Sequence, residues 1–236
     1  MIEGDDGHGV DVQYPWEPHP RREHDRALAL PPFWIDRFPV TNADYAAYLD
    51  ATGYEPDDPA RFLAHWAAAG APRAPPAGAE RQPVRFVSRA EAQAFCAWRG
   101  ARLPRSWEWQ YAAQGLDGRL YPWGNASRPE CYPAAAGGPD DPAPVDVDAF
   151  DASCASPFGV EGLVGNVWQW TDEFEDAHTR AAVVRGSGRY APTAFGGSYW
   201  YFPQALELNK HNKYLLMDDA YDRTATFGFR CVADAE

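Results

Sequence analysis

Cysteine is scarce in this chain. Four cysteines in 236 residues (Cys96, Cys131, Cys154 and Cys231) are too few and too scattered for a disulfide scaffold, and neither a Cys-x-x-Cys pair nor a Cys/His spacing of the zinc type occurs. Basic charge is short as well. Lys and Arg number 21 against 34 Asp and Glu, a net charge of −13, with acidic clusters at Asp140-Asp141, Glu173 to Asp176 and Asp218-Asp219. Such a surface is repelled by phosphate backbones and by anionic bilayers, which argues against nucleic-acid partners and membrane binding. No long apolar stretch lacks charges, nothing resembles a signal peptide or a membrane span, and the expected location is cytoplasmic. Internal repeats and a domain-boundary linker are also missing, so the chain reads as one domain long enough for a real core.

What the chain has in quantity is aromatic, proline and glycine content. Aromatics make up 14% of residues, enough to fill a compact interior with rings, while 22 Pro and 20 Gly imply short elements joined by irregular backbone. Residues 1–30 are polar, show no sustained period and read as an extended N-terminal arm; His19 and His24 within it read as solvated loop histidines. The domain proper is expected over 31–236. Phe33 to Val40 reads as a strand. Thr41, with an acid three residues on at Asp44, reads as the N-cap of a helix carrying Tyr45, Tyr48 and Leu49 and stopped by Gly53. A long Pro/Ala-rich connection follows, with a helical turn or two near Arg61 to Trp66. Ser88-Arg-Ala-Glu91 is a capping box, and the helix it opens carries Ala94, Phe95, Ala97 and Trp98 and ends at Gly100, with Cys96 expected to face inward. A third helix, Ser106 to Gln114, is expected to bury Trp107, Tyr111 and Trp109. Short strands and turns dominate after that. The reading is a single α+β domain with little regular structure.

The organising stretch is Gly159-Val-Glu-Gly-Leu-Val-Gly-Asn-Val-Trp-Gln-Trp-Thr-Asp172. Glycines three apart suit a tight turn with positive φ, and Val167 to Trp170 then alternate as a short strand would. Two indoles beside such a turn cannot both be solvated cheaply, so at least one should anchor a core.

Gly162 to Asp172 resembles the signature of the formylglycine-generating enzyme (sulfatase-modifying factor) domain family, which includes the C-terminal domains of ergothioneine-type sulfoxide synthases. Phe33-Trp-Ile-Asp-Arg-Phe-Pro-Val-Thr-Asn42, Cys96-Ala-Trp-Arg-Gly-Ala-Arg-Leu-Pro104, Tyr121-Pro-Trp-Gly-Asn125 and Gly228-Phe-Arg-Cys231 resemble the family's other motifs, in its order. The resemblance implies a C-type-lectin-like fold. It also implies that Cys96 and Cys231 are neighbours, since cysteines at these motif positions are bridged in secreted relatives. Such a bridge would close a loop of about 135 residues, worth roughly 5 kcal/mol.

The copper-dependent members hold Cu(I) with two cysteines just after a Gly-Gly-Ser-Tyr-like turn. The matching turn here is either Arg185-Gly-Ser-Gly-Arg-Tyr190 or Gly196-Gly-Ser-Tyr199, and no cysteine lies between Cys154 and Cys231. Copper and formylglycine formation are therefore not expected. The iron-dependent members take their iron from histidines of an additional helical domain, a partner this chain would have to find elsewhere. Some members bind calcium beside the Gly-Asn-Val-Trp motif. Carbonyls of Gly165 and Val167 with the Gln169 side chain are the candidates here, although the usual acid between the tryptophans is replaced by Gln169. The ligand-binding candidates are Trp200, Tyr201, Asn209, His211, Asn212 and Arg223, in the region that walls the cleft in the family; the alternative is that this loop folds its own rings into the core. Two functions stand open. One is the substrate-recognition part of a non-haem iron oxygenase or a related oxidative role. The other is a non-catalytic module binding a small molecule, peptide or protein, of the kind diversified by retroelements.

Overall fold

The structure, a computed structural model, describes residues 2–4, 11–68, 70, 73–134, 144–174, 178, 180–189 and 206–235. In chain order its elements are β1 (Ile2–Gly4), β2 (His24–Arg26), β3 (Phe33–Ile35), α1 (Asn42–Thr52), α2 (Ala64–Ala68), α3 (Arg89–Trp98), α4 (Ser106–Gln114), β4 (Trp168–Phe174), β5 (Ala181–Gly186), β6 (Asn212–Leu215), α5 (Asp219–Asp222), β7 (Phe227–Gly228) and β8 (Val232–Asp234). The strands form a four-stranded sheet ordered β6-β5-β4-β7 and two ribbons, β1-β2 and β3-β8. Among the described residues no helix is long and apolar enough to cross a membrane.

The helix ends follow their caps. Thr41 and Asp44 exchange backbone and side-chain hydrogen bonds of 3.0 and 3.1 Å, and Gly53 closes α1 at φ 64°. Ser88 and Glu91 make the same reciprocal pair at 2.8 and 3.2 Å. Cys96 faces inward in α3 as expected, whereas the buried face of α4 differs from the expectation. Helix α3 turns Ala92, Phe95 and Cys96 inward and leaves Ala94, Ala97 and Trp98 exposed. Positions 92, 95 and 96 form one stripe at helical spacing, whereas Trp98 leans over the rim against Tyr48, with ring centres 5.5 Å apart. Helix α4 buries Trp109, Ala112 and Ala113, and leaves Trp107 and Tyr111 half-buried on the side facing the N-terminal segment. The first strand is also shorter than expected. β3 stops at Ile35 because the Asp36 carboxylate turns to accept from the Cys231 amide at 2.9 Å and from the Arg99 guanidinium.

Strand β4 divides the interior. Trp168 and Trp170 point to one side, into a core with Tyr45, Phe95, Phe227 and Phe229. On the other side lies a smaller core of Trp109, Val160, Leu163, Val164 and Leu208. Both indoles are fully buried. At roughly 25 cal/mol per Å² and about 200 Å² per ring, each removes surface worth on the order of 5 kcal/mol before entropy is counted.

The first thirty residues are not a free arm. Val12, Tyr14 and His24 are buried, the Val12–Arg21 bridge folds the segment on itself, and the Tyr14 hydroxyl accepts from Arg185 in β5 at 3.0 Å. Two apolar residues in alternation, Val12 and Tyr14, suffice to dock a segment that is otherwise polar.

All four cysteines are paired. Cys96–Cys231 ties α3 to the start of the last ribbon with a Cα separation of 5.6 Å, as the resemblance implied. Cys131–Cys154, which the sequence reading did not foresee, joins two 3₁₀ turns (Pro129–Cys131 and Ala152–Cys154) at 5.2 Å. The chain does use its cysteines as staples, and scatter in sequence was a poor guide because the second pair closes a local loop.

Candidate functional site

Gly162 turns the chain at φ 61°, where an added Cβ would meet the Pro39 ring at 2.9 Å. The turn aims its carbonyls inward, and there Gln169 and Arg230 meet them. The Gln169 amide oxygen accepts from Trp109 Nε1 at 2.9 Å and from Arg230 Nε at 2.7 Å; its nitrogen donates to the carbonyls of Gly162 and Leu163 at 3.0 and 3.2 Å. Arg230 donates further to the carbonyls of Asp36, Arg37, Glu161 and Gly162 at 2.7 to 3.2 Å. Burial pulls its pKa down to about 9, partly opposed by Asp36, so it stays cationic at neutral pH.

This arrangement corrects the calcium expectation for Gly165, Val167 and Gln169. Gln169 has no lone pair or N–H to spare, the nearest acid, Glu161, is held by Arg37 at 2.6 Å, and a guanidinium occupies the carbonyl cage. The residues present do not fit a calcium ion. They do not fit the copper centre either, because no cysteine lies between Cys154 and Cys231, where the family's pair would follow its turn. Among the described residues, no group of three or more His, Cys, Asp or Glu side chains is placed to hold a metal.

The described members of the expected C-terminal ligand site are not gathered in one cleft. Trp200 and Tyr201 lie outside the described residues. Arg223 is fully buried in an ion pair with Glu91, at 2.7 and 3.1 Å, and donates to the carbonyls of Asp58 and Ala60. It therefore braces the α3 cap and not a cleft. Asn212 is buried in β6, its side-chain oxygen accepting from the Lys213 amide at 2.8 Å. Asn209 is half-buried. His211 is buried with its ring beside that of His24 in the N-terminal segment.

That last place holds the densest polar chemistry. Arg185 on β5 donates to Ser106 Oγ, Tyr14 Oη, Gln110 Oε1 and the carbonyls of Leu208 and Lys210, all at 2.7 to 3.3 Å. Burial lowers its pKa, and the Tyr14 hydroxyl opposes that shift. Beside it, Tyr14 stacks on Trp16 at 5.0 Å and meets the edge of His24 at 4.6 Å, while Trp107 closes on Trp16 at 5.1 Å. Glu17 Oε1 lies 2.8 Å from His24 Nδ1, and the His24 and His211 rings are 5.8 Å apart. Desolvation, then Arg185, His24 and Lys213, hold the His211 pKa well below its usual value. The sequence reading missed this cluster because its parts are some 170 residues apart and the arm looks polar.

Next to it runs an apolar groove of about 720 Å³ between the 28–35 segment and α4, walled by Leu28, Phe33, Trp34, Trp107, Tyr111 and Phe158. Trp34 is 73% exposed and Phe158 53%, so large rings stand in solvent along its rim.

The family model of the sulfatase-modifying factor enzyme 1-like domain matches residues 10–235. Among individual relatives, the inactive C-alpha-formylglycine-generating enzyme 2 of Bos taurus is 32% identical over 89% of this chain and 80% of its own length. Hercynine oxygenase of Mycolicibacterium smegmatis is 38% identical over 60% of this chain, a match that spans only 37% of that protein. Among solved structures, PvdO from Pseudomonas aeruginosa superposes with a TM-score of 0.66 at 20% identity, covering 100% of this chain and 91% of that one. The fold is accordingly the α+β, C-type-lectin-like architecture, and this chain belongs to the formylglycine-generating enzyme (sulfatase-modifying factor) domain family.

Proposed function

We propose that this chain is a substrate-recognition domain of the oxygenase type, serving an iron centre supplied by another domain or chain, and not a formylglycine former. The observation that carries the reading is that no cysteine lies between Cys154 and Cys231, so the thiolate pair that copper chemistry on a substrate cysteine requires is missing whatever the redox state. The similarity to a hercynine oxygenase supports the oxidative side of the proposal; the missing length of that relative is where an iron-binding partner would lie. An acidic surface of net charge −13 and rings exposed beside a groove suit a small cationic or aromatic substrate better than an anionic one.

Two measurements test the reading. Incubated with copper, oxygen and a Cys-x-Pro-x-Arg peptide, the protein should leave the peptide mass unchanged; conversion of the thiol to an aldehyde would refute the first half. Titration with hercynine, followed by tryptophan fluorescence, should saturate; a flat titration would refute the second half. The second reading is a non-catalytic binding module for a small molecule or a peptide. It is favoured by the 32% identity to an inactive relative over nearly the whole chain, and co-purification of a ligand with no iron-binding partner would support it.

A further inference from the structure

His24 and His211 are 5% and 3% exposed, and among the described residues three of their four ring nitrogens (His24 Nε2, His211 Nδ1 and His211 Nε2) have no hydrogen-bond partner. Leaving a buried polar atom unpaired is costly, so an unpaired nitrogen on each of two neighbouring rings calls for an occupant. We propose that the two imidazoles form a two-coordinate site for Cu(I), a soft monovalent ion, distinct from any thiolate centre.

The chemistry of the donors supports this. Glu17 Oε1 lies 2.8 Å from His24 Nδ1, a partner for a proton on that nitrogen that would leave Nε2 as the donor to a metal. His211 is buried with neither ring nitrogen hydrogen-bonded among the described residues, so it too can offer a lone pair. An imidazole centre lies about 3 Å from a metal it binds, the metal–nitrogen distance being about 2 Å. Two rings on one ion therefore have centres roughly 5 to 6 Å apart, wider as the angle opens. The observed separation of 5.8 Å suits a wide angle, the preference of two-coordinate Cu(I).

The surroundings select the ion. Zinc and other divalent metals want a third and fourth ligand, and no third His, Cys, Asp or Glu is placed to join among the described residues. Arg185 disfavours a double charge more than a single one. Tyr14, in edge contact with His24, and the adjoining Trp16 and Trp107 make a dry aromatic shell, which suits a soft monocation and keeps out hard ions.

The test is anaerobic titration with the acetonitrile complex of Cu(I) against a bicinchoninate competitor, without thiol reductants, which would open the disulfides. Wild-type protein should withhold one equivalent from the chelator. His24→Leu and His211→Leu should each weaken retention at least tenfold, while His19→Leu, on the exposed side of the same segment, should change nothing. Copper-edge absorption of the wild type should report two nitrogen neighbours and no sulfur, a reading that stands even if the leucine variants fold poorly. Surrender of all copper by the wild type, sulfur neighbours, undiminished retention in both variants, or displacement by equimolar zinc would each overturn the proposal. None of these outcomes depends on hercynine binding.

Discussion

Three arginines, Arg185, Arg223 and Arg230, have no exposed surface, and they are held in different ways. Arg223 has an anion, Glu91, which also caps α3 through the Ser88 amide. Arg223→Met should therefore cost about 3–5 kcal/mol, because it strands a buried carboxylate. The double change with Glu91→Gln should recover part of that loss. Urea denaturation of both variants checks it, and a single-variant loss under about 1 kcal/mol would contradict the geometry. Arg230 has carbonyl and amide oxygens as its acceptors, and Gln169 is matched to it: Gln169→Leu should cost about 2–4 kcal/mol by leaving Trp109 Nε1 and Arg230 Nε without an acceptor. A histidine supplies the pH response. Desolvation first, and the Arg85 charge second, push the His65 pKa down to about 3, below its unfolded value near 6.5. The unfolded chain then binds more protons between these values, so His65 contributes stability that is complete above about pH 6.5 and is lost as pH falls toward 3. Acid unfolding followed by circular dichroism should start earlier in the wild type than in His65→Gln. Little of this was legible in the sequence. A buried arginine leaves no period or motif, and only the Gly228-Phe-Arg-Cys segment hinted that Arg230 matters.

At the scale of elements, the sequence was most informative where a local rule decides the outcome. The boundaries of α1, α3 and α4 could be read from Thr41, Ser88, Gly53 and Gly115, because caps are satisfied within one turn. Ser88→Ala should cost about 1 kcal/mol for the same reason. Which face a helix buries was less legible, since Trp98 and Ala97 are as apolar as Ala92 and Cys96 and only the neighbouring strands choose between them. Covalent links between elements were half legible. In the chain-entropy account the Cys96–Cys231 bridge, closing a loop of 135 residues, is worth roughly 5 kcal/mol, and Cys131–Cys154, closing 23, about 3 kcal/mol. A reductant should lower the melting temperature in proportion, and Cys131→Ala/Cys154→Ala should lower it less than Cys96→Ala/Cys231→Ala. The reverse order would show that the long loop is already restrained before it is bridged. In a reducing cytoplasm both pairs would remain as small buried thiols, so free-thiol counting on protein freshly released from cells would report the compartment it came from.

For the whole molecule, the order of motifs made the architecture legible long before any contact was known. What it concealed was the division of the interior by β4 and the part played by the first thirty residues. Both escape a linear reading for one physical reason: the deciding contacts are long-range and involve few residues. Trp168 and Trp170 face one core while Gln169 faces the other, and Tyr14 reaches Arg185 across the chain. Removing residues 1–26 should therefore do more than shorten the protein. It would take the Tyr14 hydroxyl from Arg185 and uncover Trp107, so a lower melting temperature and stronger dye binding to apolar surface are expected, whereas loss of an independent arm would change neither.

The pairing of β3 with β8 has a consequence for how such a protein can be deployed. Phe33 lies opposite Asp234 in an antiparallel register, so the last strand runs about 5 Å from the point where the chain leaves the docked N-terminal segment. A companion can be strung on at that last strand without prying the fold open. Swapping companions then changes the chemistry performed around an unchanged scaffold, which is how one architecture comes to serve unlike trades.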